Sequence, residues 1–273
     1  MTVLVTGVRG GIGGRVLDRL TAAGIPARGT SKEPAGPGIA RLDLAAPDPA
    51  DLAAALDGVD RVFLYTQPGG IDAFVDAARE AGVELVVQLS SSAVRMPDAA
   101  TNSIARRHRE VEAALAASGL GHTVLHPHAL AHNCLAWAPS IRERRTVEIP
   151  YPDARLAFVD PDDVARVAVE VLRHGGREGE SLYLTGPETL SHRDQAGVLA
   201  EVLGHPISVR ALSDEEARSR RPSRIPPAVF DEMLASSARA VTTPPDITAT
   251  IEEVTGVPAG TFREWAVRNR ARF

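Results

Sequence analysis

The sequence predicts an α/β fold, a doubly wound parallel sheet followed by a smaller and mostly helical lobe. Two observations carry that prediction. Short apolar strands alternate with segments of helical periodicity through residues 2–126, a run of βα units that pairs as a parallel sheet. A glycine-rich turn joins the first strand to the first helix, where such sheets receive phosphates. After about residue 130 the alternation stops.

The elements follow in order. "TVLVT" (2–6) is a short apolar strand, and Ile12, Val16, Leu17 and Leu20 share one face of the helix after the glycines. Gly24 ends that helix. "IPARGTS" (25–31) and "IARLDL" (39–44) are the second and third strands, "PADLAAALDG" a helix ending at Gly58, and "RVFLYT" (61–66) the fourth strand. Ile71, Phe74, Val75 and Ala78 mark a further helix closed by Gly82. "VELVVQLSS" (83–91) is nearly continuous in apolar residues, as a strand buried on both faces must be. "SIARRHREVEAAL" is a helix whose inward stripe is Ile104, His108, Val111 and Leu115, and "HTVLH" (122–126) is the sixth strand. Beyond it lie a loop-rich stretch with Trp137, Pro139, Pro150 and Pro152, a helix at 162–173, the strand "SLYLT", and mainly helical sequence with proline-rich joints at 222–227 and 244–245. The reading is a dinucleotide-binding core over 1–130 and a substrate-side lobe over 131–273, interleaved with the last strands and helices of the core.

"VLVTGVRGGIGGRVL" places Gly7, Gly10 and Gly13 in a G-x-x-G-x-x-G pattern between strand and helix, the context of a Rossmann-like dinucleotide site. Gly7 and Gly10 let the backbone turn tightly and approach a pyrophosphate, and Gly13 lets the helix lie close to the sheet. After the second strand stand Ser31, Lys32 and Glu33. Glu33 is an acid at the distance that suits a ribose 2′-OH, whereas Lys32, with Arg9 in the glycine turn, makes a pocket for a 2′-phosphate. NADP(H) is therefore favoured over NAD(H). Asp43, ending the third strand, is a candidate for the adenine amino group or for a turn role.

Acidic residues number 35 and basic residues 30, a mildly negative balance that argues against a nucleic-acid partner. Arg106, Arg107 and Arg109 read as a solvated helix face. A single cysteine, Cys134, forms no disulfide within the chain and reads as a buried structural thiol. The chain opens directly on "MTVLVTG" without a signal-peptide pattern, and no apolar run approaches a membrane span. The expectation is a cytoplasmic monomer or homodimer with a small-molecule substrate and no membrane partner. His122, His126, His128 and His132 invite a zinc reading, but His122 and His126 lie about 13 Å apart at roughly 3.3 Å per strand residue, so no metal site is expected. His126 and His128 are read as lining the crevice. Trp137, Tyr151 and Phe158 face either an aromatic substrate or the core. Asp160, Asp162 and Asp163 precede a helix and read as caps.

With the glycine turn, "LSSSAV" after the fifth strand and "HREVEAALAASGLGHTVLHPHALAHN", the chain resembles the NmrA-like family, atypical short-chain dehydrogenase/reductases that bind NAD(P)H. "VDPDDVARVAV" and "LYLTGPETLS" extend the likeness over nearly the whole chain. The family pattern has a helix ending in E-x-x-L-x-x-S-G and then Arg-Pro-Gly and an Asn, where this chain has His126-Pro127-His128 and Asn133. The resemblance implies cofactor contacts at Gly7, Arg9, Gly10, Ile12, Lys32, Asp43, Thr66, Gln67, Pro68, Ser90 and Pro127, with His126, His128, Asn133 and Trp137 on the substrate side. Ordinary members of the superfamily carry Tyr-x-x-x-Lys on the helix after the Ser-rich strand end. Here Ile104 stands at the Tyr position and His108 at the Lys position, so the usual proton donor is missing.

Hydride transfer needs a held cofactor and a stabilised product anion rather than a particular side-chain acid, which suits a quinone or conjugated enone better than a plain ketone. The expectation is an NADPH-dependent reductase of a small quinone-like or conjugated carbonyl compound, with His108 and Ser92 as catalytic candidates. The alternatives are a dinucleotide-sensing regulator without turnover and a non-redox isomerase or cyclase on the same scaffold.

Overall fold

The computed structural model describes residues 1–33 and 38–273. Among them the strands are β1 (Val3–Thr6), β2 (Ala27–Ser31), β3 (Ile39–Arg41), β4 (Arg61–Tyr65), β5 (Leu85–Leu89), β6 (Gly121–Pro127), β7 (Thr146–Pro150), β8 (Arg155–Leu156), β9 (Ser181–Leu184), β10 (Leu190–Ser191) and β11 (Ser208–Leu212). The helices are α1 (Gly13–Ala22), α2 (Pro49–Leu56), α3 (Ile71–Glu80), α4 (Ser103–Ser118), α5 (Ala138–Arg144), α6 (Pro161–His174), α7 (His192–Leu203), α8 (Asp214–Ser219), α9 (Pro227–Thr242), α10 (Thr250–Thr255) and α11 (Phe262–Asn269).

The chain divides into two compact units. Met1–Pro127, Pro161–Leu184 and Thr250–Val257 make the first; His128–Asp160, Thr185–Ala249 and Pro258–Phe273 make the second. The first unit holds a seven-stranded sheet in the order β3-β2-β1-β4-β5-β6-β9. Every neighbouring pair in it is parallel. The strand order reverses between β1 and β4, and a ligand crevice opens at the carboxyl ends of strands at such a point. Val3–Val5, Val62–Leu64 and Leu85–Val87 are buried, as strands covered by helices on both faces must be.

Helix α6 and strand β9 return to this unit although they follow the 131–160 stretch. The reason is visible in α6, where Val164, Ala165, Val167, Ala168, Val171 and Leu172 are buried on an otherwise polar helix. Such a face is stabilised by about 1.5–3 kcal/mol per large side chain when it covers a sheet. Asp162 and Asp163 lie in its first turn, where the helix dipole favours them, and Asp162 also pairs with Arg15 of α1 at 2.9 Å.

Helix α4 begins at Asn102, whose side chain accepts from the Ala105 N–H at 3.0 Å, and ends at Gly119 with φ of 78°. Its inward stripe is as the periodicity requires: Val111 and Leu115 are fully buried, Ile104 and His108 half-buried. Arg106, Arg107 and Arg109 are exposed.

The second unit is mainly helical, as the sequence reading has it, with strands added that the reading did not foresee. It contains two small sheets, β7 with β11 in parallel and β8 with β10 antiparallel, where helices and loops were expected. Strands of two to five residues leave no periodic signature, and their pairing is set by the core they cover. That core centres on Phe262 and Trp265, stacked at 5.5 Å, with Phe158 at 6.1 Å from Phe262. Phe158 is thus a core residue and no substrate contact. Cys134 is buried here, its thiol donating to Ala131 O at 3.1 Å and pushed up in pKa by burial. Among the described residues no helix is long and apolar enough to cross a membrane.

Candidate active site

The glycine turn is built by backbone sterics. Gly7 has φ of 65°, a region that L side chains rarely enter. A Cβ on Gly13 would stand 2.6 Å from Gly7 O and 2.9 Å from Thr6 O, and one on Gly10 would stand 3.1 Å from Gly7 O. The chain therefore crosses itself where only hydrogen fits. Helix α1 starts with no side-chain cap and no acid in its first turn, so its leading N–H groups and positive dipole end face the turn. Ile12 sits at the cap position with its side chain 4% exposed, so it offers an anion its main chain alone.

A cleft of about 320 Å³ lies against this turn, lined by Gly7, Arg9, Gly10, Lys32, Asp43 and Gln67 together with Tyr65. Six of these seven were singled out in the sequence. Tyr65 was not: it is 52% exposed at the carboxyl end of β4, packed over Gly7. An exposed aromatic ending a parallel strand beside the glycine turn is the signal that identifies it. Lys32 pairs with Asp43 at 2.9 Å, and Arg9 pairs with Glu33 at 3.1 Å. The Lys32 hydrogen bond, and the Ala45 N–H behind it, hold the Asp43 carboxyl below its usual range. The Asp43 side chain thus serves the turn and the lysine at once. The narrow glycine turn with Arg9 in it, the uncapped helix and Lys32 at the end of β2 fit a phosphate-bearing dinucleotide.

At the ends of β5 and β6 the site contains a buried polar cluster. Ser90 donates its Oγ–H to Glu112 Oε1, and His126 Nε2 lies 2.9 Å from the same oxygen. Burial raises the Glu112 pKa, but the hydrogen bonds from His126 and Ser90 outweigh it and leave the carboxyl below its ordinary value. His126 is 4% exposed and turned inward onto Glu112. Glu112 is the first residue of the "E-x-x-L-x-x-S-G" stretch; the pattern displayed it, but nothing local in the sequence assigns it a partner. Ser91 accepts from the Ala93 N–H, and Ser92, 8% exposed, begins the 3₁₀ turn after β5. Thr66 is committed within the sheet, donating to Leu89 O at 2.6 Å and accepting from Gln88 Nε2 at 3.0 Å. Gln67 accepts from Arg107 at 2.9 Å, Pro68 begins a short 3₁₀ turn, and Pro127 is buried at the end of β6.

His108 lies one helical turn before Glu112. Burial depresses its pKa to about 4, more than the Glu112 charge raises it, so the ring is neutral at neutral pH. Between pH 6.5 and about 4 the unfolded chain takes up a proton that folded His108 refuses. Stability therefore falls as pH drops through that window, by up to about 3 kcal/mol from this residue. Urea unfolding of the wild type and His108→Leu across the window checks this: the variant's slope should be shallower, and equal slopes would contradict the assignment.

The remaining candidates belong to the second unit. Burial brings His128 to a pKa of about 4, and its Nδ1 accepts from the Ala157 N–H at 3.3 Å, which leaves its proton on Nε2. Asn133 is exposed. Trp137 is half-buried, edge-on to His192 at 5.7 Å. Tyr151 has φ of 50°, a turn conformation. Among the described residues no group of three His, Cys, Asp or Glu is placed to hold a metal ion; His122 Nδ1 faces Leu120 O, and His126 faces Glu112.

A family profile described as NAD(P)H-binding matches residues 7–175. The chain belongs to the NAD(P)H-binding family. Over 99% of both chains it is 39% identical to the (4-alkanoyl-5-oxo-2,5-dihydrofuran-3-yl)methyl phosphate reductase of Streptomyces griseus subsp. griseus. It is 32% identical, again over 99% of both, to the NAD(P)H azoreductase of Xenophilus azovorans. The fold is shared with the NADPH-dependent quinone oxidoreductase of Escherichia coli, solved with NADPH (TM-score 0.82, 23% identity, 98% and 99% of the two chains). It is shared too with the triphenylmethane reductase of Citrobacter sp., solved with NADP(H) (TM-score 0.80, 18% identity, 98% and 99%). The resemblance to NmrA-like, atypical short-chain dehydrogenase/reductases holds, and the chain is an NAD(P)H-dependent oxidoreductase.

Proposed function

We propose that the chain is an NADPH-dependent reductase of a small conjugated carbonyl compound, an enone or quinone. The observation that carries this reading is the inward face of α4, where Ile104 and a neutral His108 leave no strong acid to protonate a localised alkoxide. A conjugated acceptor tolerates that, because its anion is delocalised and takes its proton later from solvent. The Streptomyces griseus relative supports the same class: its name specifies a ring alkene conjugated to carbonyl groups.

Gly7, Gly10 and the start of α1 hold the cofactor diphosphate by main-chain N–H groups. Lys32 and Arg9 exchange Asp43 and Glu33 for the 2′-phosphate. When bound, the reduced nicotinamide supplies the hydride. Ser90 spends its proton on Glu112, so it presents lone pairs and accepts from a cofactor hydroxyl or amide. Ser92 donates to the substrate oxygen.

Loss of NADPH absorbance across quinones, enones and simple aldehydes tests the reading; tight NADPH binding with no turnover on any conjugated acceptor would refute it. Lys32→Ala should raise KM for NADPH roughly tenfold, the worth of one charge-assisted phosphate contact, and change KM for NADH less than about twofold. Equal effects on the two cofactors would place Lys32 outside the phosphate pocket.

A further inference from the structure

The second unit holds a pocket of its own, of about 250 Å³, that the reductase reading does not use. Trp137, Pro150, Leu212 and Phe230 give it apolar walls, and Glu148 and Arg220 stand at its polar side. Glu148 is unable to receive a ligand cation. Its two oxygens are taken by Arg210 Nε at 2.7 Å and Arg220 Nη1 at 2.9 Å, with Arg144 Nη2 at 3.5 Å. The Arg210 hydrogen bond is the leading cause that keeps this carboxyl below its usual range.

The lining itself holds one cation and one anion, Arg220 and Glu148. Arg144 also pairs with Glu143 at 3.6 Å and Arg210 with Glu216 at 2.8 Å, so Arg220 is the one of the three arginines with no second acid paired to it among the described residues. Among the described residues the Arg220 guanidinium makes a single hydrogen bond, to Glu148. A guanidinium carries five N–H donors in a rigid fork, so four of them stay open beside an apolar wall. Glu148 fixes the fork in place.

We infer that this pocket binds an amphipathic anion, a phosphate monoester or carboxylate on a short apolar body, with the anion on Arg220 and the body between Trp137 and Phe230. An aromatic wall beside an oriented guanidinium selects for both halves of such a ligand at once. Neither half alone suffices: a bare anion leaves the apolar wall uncovered, and a neutral alkane leaves the open donors unpaired.

Hexyl phosphate is the probe, followed by calorimetry and by quenching of Trp137 fluorescence on the intact protein. Saturable binding is expected, with inorganic phosphate and 1-hexanol each much weaker and hexylammonium not bound. Arg220→Gln, a change at an exposed position, should weaken hexyl phosphate about tenfold or more, the loss of a charge-assisted contact. Trp137→Phe should abolish the fluorescence change while calorimetry still detects binding. Equal affinity for hexylammonium, an unaffected Arg220→Gln, or no saturable binding would each overturn the assignment. If hexyl phosphate competes with the reducible substrate, the anion is a substrate group; if it binds without competing, it is a separate ligand of the same pocket. Binding is read without turnover, so a failed reductase assay leaves this result standing.

Discussion

Gly13→Val should cost the protein its cofactor. The first side-chain carbon would stand 2.6 Å from Gly7 O and 2.9 Å from both Gly7 C and Thr6 O, all backbone atoms with no rotamer to relieve the contact. Helix α1 has to move off the glycine turn, and the N–H groups at its start move with it. A displacement near 1 Å in a positioning element costs on the order of a hundredfold, so NADPH affinity should fall by about that factor. Overpacking should also lower stability by about 1–3 kcal/mol. Calorimetric titration with NADPH and urea unfolding check both parts. Gly197→Ala is the control: no atom lies within 4 Å of its new Cβ, and alanine improves helix propensity by about 0.5–1 kcal/mol over glycine. A Gly13→Val protein that binds NADPH as the wild type does would remove the steric account of the glycine turn.

Glu112→Ala should be the most destabilising single change in the buried polar cluster. It strips a partner from Ser90 and from His126, which are 4% exposed each. Leaving two such groups unpaired costs about 3 kcal/mol, at about 1–3 kcal/mol for each buried polar group without a partner. Glu112→Gln separates charge from shape, since its amide oxygen still accepts from one partner, and should recover part of the loss. Because the Glu112 pKa is lowered in the folded chain, its stabilisation is complete above the ordinary carboxylate value of 4.5 and is lost as pH falls through the lowered one. The stability gap between wild type and Glu112→Gln should accordingly narrow on the acid side. A gap that is absent at neutral pH, or constant down to strong acid, would show that Glu112 carries no structural charge. The catalytic part has its own readout: if Glu112 sets Ser90 as an acceptor for the cofactor, Glu112→Gln raises KM for NADPH more than it lowers kcat.

What was legible in the sequence followed from local rules. The α/β alternation, the glycine turn and the inward stripe of α4 each depend on residues within about one helix length, and backbone sterics and periodicity act at that range. Gly7, Arg9, Gly10, Lys32, Asp43 and Gln67 share one cleft because strand ends in a parallel sheet converge by topology. What was not legible is non-local contact. His126 was read as lining the crevice; its pairing with Glu112, 14 residues earlier, has no local signal in the sequence. The small sheets of the second unit were missed because two-residue strands have no period to detect.

The sequence by itself determined the fold class and the dinucleotide turn, since each is written in residue type and spacing. Only the tertiary structure decided which polar groups are already committed. Ser90, Thr66 and His126 face inward to partners, and Lys32 and Arg9 rest on acids. The physical reason is that a buried polar group must find a partner, and that partner comes from whichever strand or helix the fold lays beside it.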